Sequence, residues 1–186
     1  MAYSNPRDFR YGERQVKPGK KGEKGRSSGF KVAESPLDCV DYFLLESYKS
    51  ISDKLQTIFG NDLDDNTENL ISVFAKKEGR AHITLNRAKS GAEVDMYREM
   101  MKEVPFVELN HFGYSDTQKG FVVLYNPYEQ NIEGTFFHIT GRVPPLYKNH
   151  DAGKFVSETK FYSGHDLVSI ILPISLELKV EFVAKQ

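Results

Sequence analysis

The chain has 186 residues and a mass of 21.2 kDa, enough for one domain with a sizeable core, or one domain and a tail. With 39% hydrophobic and 27% charged residues it has the composition of a globular protein. No window approaches 18 consecutive apolar residues, which argues against a membrane-spanning helix. A single cysteine, Cys39, allows neither an internal disulfide nor a cysteine-based zinc site, and the first residues carry no apolar stretch of the secretory type.

The net charge of −1 hides an asymmetry. Residues 1–31 hold nine Lys/Arg and three acids, a net +6, which leaves 16 basic and 23 acidic residues, a net −7, for the rest of the chain. The segment is rich in Gly, Pro and Ser and poor in aliphatics, so it buries too little apolar surface to offset its ordering entropy. We read residues 1–28 as a flexible basic arm and residues 29–186 as one domain. The arm is either a solvated extension or a nonspecific nucleic-acid-binding segment, with Tyr3, Phe9 and Tyr11 available for stacking.

In chain order, Gly29–Glu34 has the pattern of a short strand. Ser35 then offers a cap and Pro36 a first helical position. Leu37, Val40, Leu44, Tyr48, Ile51, Leu55 and Ile58 follow at three- and four-residue steps, which predicts a helix over 36–59 closed by Gly60. The acidic stretch 61–68 lacks the Gly and Glu of a calcium loop and reads as a solvated connection. Residues 69–77 and 80–86 read as two strands joined at Glu78-Gly79, and 93–104 as a second helix stopped by Pro105. Further strands are predicted over 106–114, 120–125, 135–143, 154–161, 167–173 and 176–183, with a loop over 126–134. The order implies an α+β fold with mostly antiparallel pairing and two main helices.

Two of the five histidines lie in the same tripeptide, His82-Ile83-Thr84 and His138-Ile139-Thr140, both in predicted strands. Side chains alternate along a strand, so His82 and Thr84 share one face and His138 and Thr140 another, each opposite an apolar backing. The same alternation places Arg80 beside the first pair and Arg142 beside the second. Coincidence produces such a repeat on the order of 1% of the time at ordinary composition. The three remaining histidines read as structural (His111) or as exposed in turns (His150, His165). Cys39 reads as a small buried residue and not a nucleophile.

The two tripeptides and their setting resemble the 2H phosphoesterase (LigT-like) superfamily, named for two His-x-Thr/Ser motifs. The likeness covers about residues 29–183: a strand and helix before the first motif, a helix after it at 93–104, a strand pair at 105–109 and 120–124, then His138-Ile139-Thr140-Gly141-Arg142-Val143 as the second motif. It implies a two-lobed fold and a metal-independent phosphodiesterase. His82 and His138 would serve as acid and base in an unassigned order, and Thr84 and Thr140 would bind non-bridging oxygens. Arg80, Arg142, Tyr114 and Tyr147 are the candidates for substrate binding. It further implies no cofactor or metal, and a nucleotide or oligonucleotide substrate bearing a 2′,3′-cyclic phosphate, a 2′-5′ linkage or a cyclic backbone. The expected setting is cytoplasmic, in the host cell if the enzyme is viral and degrades immune-signalling nucleotides. The competing expectation is a non-enzymatic nucleic-acid-binding or viral structural protein that works through its basic arm.

Overall fold

A computed structural model describes residues 39–115, 117–158 and 164–185. The predicted arm over 1–28, the strand over 29–34 and the Ser35-Pro36 cap lie outside these residues. The described elements run β1 (Asp41–Ser47), α1 (Tyr48–Phe59), α2 (Asp65–Ala75), β2 (Arg80–Asn86), α3 (Ala92–Lys102), β3 (Phe106–Ser115), β4 (Val122–Gln130), β5 (Phe136–Arg142), α4 (His150–Ser157), β6 (Leu167–Lys179) and β7 (Glu181–Ala184). They form an α+β structure with two antiparallel sheets, ordered β2-β1-β7 and β5-β4-β3-β6, and four helices where two main ones were expected. Among the described residues no helix is long and apolar enough to cross a membrane.

Three predicted elements change type. The first helix begins at Tyr48, not Pro36, because Ser47 Oγ accepts the Ser50 N–H at 3.0 Å and caps it there. Residues 41–47 form a strand instead, with Phe43 and Leu45 fully buried at two-residue spacing. Residues 69–77, expected as a strand, belong largely to α2. Asp64 accepts the Thr67 N–H at 2.8 Å, Asp65 and Glu68 complement the helix dipole, and Thr67, Leu70, Ile71 and Phe74 are buried at helical spacing. The acidic stretch is therefore a helix start rather than a plain loop. Residues 154–157, expected in a strand, end α4, which packs Ala152, Phe155 and Val156 on Phe121, Val123 and Tyr125. The two strands expected over 167–183 are one 13-residue strand, β6, followed by the short β7.

The main core lies between the inner faces of the two sheets and the helices α1 and α2. Phe43, Leu45, Ile83 and Leu85 come from one sheet and Leu109, Phe112, Leu124 and Ile139 from the other, closed by Ile51, Leu55, Ile71 and Phe74. Each such side chain contributes about 1.5–3 kcal/mol when fully buried. This core fixes the faces of β2 and β5. With Ile83 and Ile139 inward, His82, Thr84, His138 and Thr140 point the other way.

Arg142 does not follow the strand alternation that would place it beside Thr140. Val123 pairs with Thr140, but Val122 pairs with Arg142, so β5 carries one extra residue, Gly141, at that step. Directly opposed residues share a face. Thr140 therefore lies with Val123 on the α4 side, while Arg142 lies with Val122 on the main-core side, where α2 sits. A Cβ at Gly141 would stand 2.7 Å from Phe74 Cζ and 2.9 Å from the Val122 carbonyl oxygen. The carbonyl cannot move without opening the β4–β5 pairing, so Gly141→Ala is expected to lower stability by about 1–3 kcal/mol. Urea denaturation of the two proteins measures it.

Candidate active site

β2 and β5 are edge strands of different sheets, and they adjoin. The link between them is the tight turn that follows β4. Asn131 Oδ1 accepts the N–H groups of Glu133 (2.9 Å) and Thr135 (3.0 Å). Its main-chain N–H donates to the Thr135 carbonyl at 2.8 Å, its carbonyl accepts from Gly134 at 3.0 Å, and Gly134 takes a positive φ of 82°. The remaining group, Nδ2, donates across the gap to the Thr84 carbonyl at 3.0 Å. Glu133 Oε2 adds a second tie by accepting the Arg87 N–H at 2.7 Å. The asparagine that shapes the entry to one His-x-Thr strand thus holds the edge of the other.

The consequence is a single cavity lined by His82, Thr84, His138 and Thr140 together. Its volume of about 70 Å³ is that of two to three water molecules, a space for one small group such as a phosphoryl. Lys77, just past α2, and Arg87, just past β2, supply the cations, and Asn149, His150 and Gly153 close the wall from the start of α4. No Asp or Glu is among the described residues that line it, in a domain whose sequence beyond the arm is net acidic. Such a cavity favours an anion.

The hydrogen bonding of His138 defines its tautomer. Its Nδ1 lies 2.8 Å from the Phe136 carbonyl, an acceptor, so Nδ1 carries the hydrogen and Nε2 keeps a lone pair. Gly153 makes room for that ring: a Cβ there would stand 2.9 Å from His138 Cε1 and 3.3 Å from Nε2. Desolvation lowers the His138 pKa, the Phe136 carbonyl opposes this, and Arg87 lowers it further. His82 is pushed down to about 4, first by burial and then by His138, Arg87 and Lys77. The ring of Tyr42 meets His82 edge-on at 6.0 Å, and Thr84 Oγ1 lies 3.2 Å from Cys39 Sγ. The pKa of His150 is lowered by burial against the opposing pull of Asp151.

Four of the eight residues proposed from sequence meet here; the other four lie elsewhere. Arg80 leans across β1, its Nε donating to the Leu45 carbonyl at 2.6 Å and its guanidinium 3.4 Å from Glu181 of β7. Arg142 is turned away by the Gly141 bulge and lines a different groove, which it shares with Tyr114. Tyr147 packs against Phe121 and His165 at 5.5 and 5.7 Å. Lys77, Arg87, Asn131, His150 and Gly153 were not singled out from sequence. The one available signal was Asn131-Ile-Glu-Gly-Thr135, a side-chain-capped turn directly before the second motif. Among the described residues no group of three or more side chains is arranged to hold a metal ion. Comparison with protein-family models, with curated proteins and with solved structures gave no match.

Two outcomes are expected. Unfolded His82 takes up a proton below about pH 6.5, whereas the folded residue does so only near pH 4. The unfolded state therefore binds more protons in that window, and stability present above pH 6.5 is lost as pH falls towards 4, by about 3 kcal/mol from this residue. Urea denaturation at stepped pH is expected to show a shallower decline for His82→Gln; a slope equal to the wild type's would refute the burial account. Asn131→Ala removes three side-chain hydrogen bonds and is expected to cost about 2–3 kcal/mol. In the variant the Thr84 carbonyl loses its partner, and hydrogen exchange along β2 is expected to quicken relative to β3.

Proposed function

We propose that the chain is a phosphodiesterase of the 2H type, with the two-lobed arrangement that the resemblance implies. The observation that carries this reading is the meeting of both His-x-Thr strands in one cation-lined cavity, with no Asp or Glu among its described lining residues and with room for a phosphoryl group. His138 is assigned as the base, because its Nε2 lone pair is the free one. It takes the proton from a water or ribose hydroxyl as that oxygen attacks phosphorus. The bond from phosphorus to the leaving oxygen breaks, and His82 delivers a proton to that oxygen. Burial first, then His138, Arg87 and Lys77, hold His82 unprotonated in the free chain; a bound anion opposes the three charges and so raises the proton affinity of the acid. Thr84 and Thr140 donate hydrogen bonds to the non-bridging oxygens, with Arg87 and Lys77 adding charge.

Two imidazoles supply both proton transfers, so the chemistry needs no metal-bound hydroxide and no cofactor. The substrate is a nucleotide or oligonucleotide with a 2′,3′-cyclic phosphate, a 2′-5′ linkage or a cyclic backbone. The setting is cytoplasmic, including a viral enzyme that removes signalling nucleotides in its host. The alternative is a non-enzymatic nucleic-acid-binding or viral structural protein, favoured by the +6 charge of residues 1–31.

The full chain incubated with EDTA and a panel of 2′,3′-cyclic nucleotides, 2′-5′ oligoadenylates and cyclic dinucleotides is expected to hydrolyse at least one. His82→Ala and His138→Ala are each expected to lower kcat by about 10²–10⁴-fold with the fold intact by circular dichroism. Undiminished turnover in the double variant would sink the assignment and leave the nucleic-acid-binding reading.

A further inference from the structure

A second groove opens between α2 and the turn joining β3 to β4, on the main-core side of the sheet that carries His138 and Thr140 on its other face. Its volume is about 460 Å³, in the range of pockets that hold a nucleotide-sized ligand and several times that of the histidine cavity. One stripe of α2 faces it at helical spacing: Asn66, Asn69 and, past the last turn, Lys76. Lys119 and Tyr114 come from the other wall, and Arg142 from β5. No Asp or Glu is among the described residues that line it.

Arg142 is the telling member. Its guanidinium is partly buried, which lowers its pKa, yet among the described residues no carboxylate pairs with it. Its one hydrogen bond there runs from Nε to the Gly120 carbonyl at 2.9 Å, leaving the outer fork of N–H donors for a ligand. The Gly141 bulge is what turns this arginine into the groove, and bulges of this kind re-aim side chains beside binding sites. The polar groups opposite it suit a base rather than a second phosphate. Asn66 Nδ2 donates to the Tyr114 hydroxyl at 3.1 Å, which holds the tyrosine ring in the wall and leaves the Asn66 carbonyl oxygen as an acceptor. Asn69, one turn on, offers an amide that can both donate and accept.

We propose that this groove binds a segment of single-stranded nucleic acid, with Lys76, Lys119 and Arg142 on its phosphates and Asn66, Asn69 and Tyr114 against a base. The proposal stands on the groove alone and does not require the histidine cavity to be catalytic. Where that cavity does act on a nucleotide, the consecutive Lys76 and Lys77 give a strand a continuous path, since Lys76 lines the groove and Lys77 the cavity.

The test is fluorescence anisotropy of a fluorescein-labelled oligodeoxythymidylate, about ten nucleotides long, with the full chain over a range of salt concentrations. The basic arm is present in every protein compared, so differences report the groove. The exposed double variant Lys76→Gln/Lys119→Gln is expected to weaken binding about tenfold or more near 0.1 M salt. It is also expected to flatten the plot of log K against log salt by about 1.4, for two lost phosphate contacts on a single strand. Arg142→Gln is expected to act in the same direction. Asn69→Ala and Tyr114→Leu, with thermal unfolding checked, are expected to weaken the oligonucleotide several-fold and to leave the binding of inorganic polyphosphate unchanged. Wild-type affinity and salt slope in the lysine double variant would overturn the proposal. So would loss of oligonucleotide and polyphosphate binding in parallel in the Asn69 and Tyr114 variants, because the groove would then not read a base.

Discussion

The turn after β4 joins the two halves of the candidate site, through Asn131 and, beside it, Glu133. Each sheet is held by its own pairing, and among the described residues no strand of one is hydrogen-bonded in register to a strand of the other. The core brings the sheets together, but apolar contact is non-directional and leaves their edges free to slide. The bond from Asn131 Nδ2 to the Thr84 carbonyl removes that freedom at the point where it matters, midway along the first motif. Because Oδ1 of the same residue is fixed by the N–H groups of Glu133 and Thr135, the amide is oriented before it reaches across. Thr84 and the start of β5 are thereby referred to a single rigid turn.

The electrostatics follow from that placement. Bringing two histidines, Arg87 and Lys77 around one small cavity, with no carboxylate among the described residues of its wall, leaves the imidazoles little choice of protonation state. Desolvation and like charge act in the same direction on His82, and only the Phe136 carbonyl resists them at His138. The cavity therefore sets neutral rings beside the positive side chains of Arg87 and Lys77. On the proposed reading, a phosphate meets donors that are already oriented, and its negative charge opposes the part of the His82 shift that comes from His138, Arg87 and Lys77. That is preorganisation in the electrostatic sense, achieved by what the cavity excludes as much as by what it contains.

The central elements of the site were legible in the sequence because they rest on local rules. A repeated His-Ile-Thr with strand periodicity places His and Thr on one face whatever the rest of the chain does, and β2 falls on the predicted 80–86. The failures lie where local patterns compete or where a non-local event intervenes. Leu70-Ile71-Ser72-Val73-Phe74 has the composition of a strand, but the cap at Asp64 and burial on the core make it a helix. The apolar positions of residues 37–47 fit a helical period, yet Phe43 and Leu45 fit a period of two, and a central place in its sheet decides for the strand. Lys77, Arg87 and His150 reach the cavity from three separate segments, and no spacing in one chain records that.

Arg142 shows how one residue divides a protein's charge between two tasks. By simple alternation it would have stood beside Thr140 as a third cation against the reacting group. A single inserted glycine, forced to be glycine by Phe74 and the Val122 carbonyl, moves it to the opposite face of the same strand. The domain beyond the arm is acidic, so positive charge is scarce and its position is informative. Two pockets with no Asp or Glu among the described residues that line them, on opposite faces of one sheet and joined at the Lys76-Lys77 end of α2, are not what a uniformly solvated acidic surface produces. Under the two proposals together, one extended anion engages both, and splitting the cations avoids the mutual repulsion of pooling them around a single phosphate.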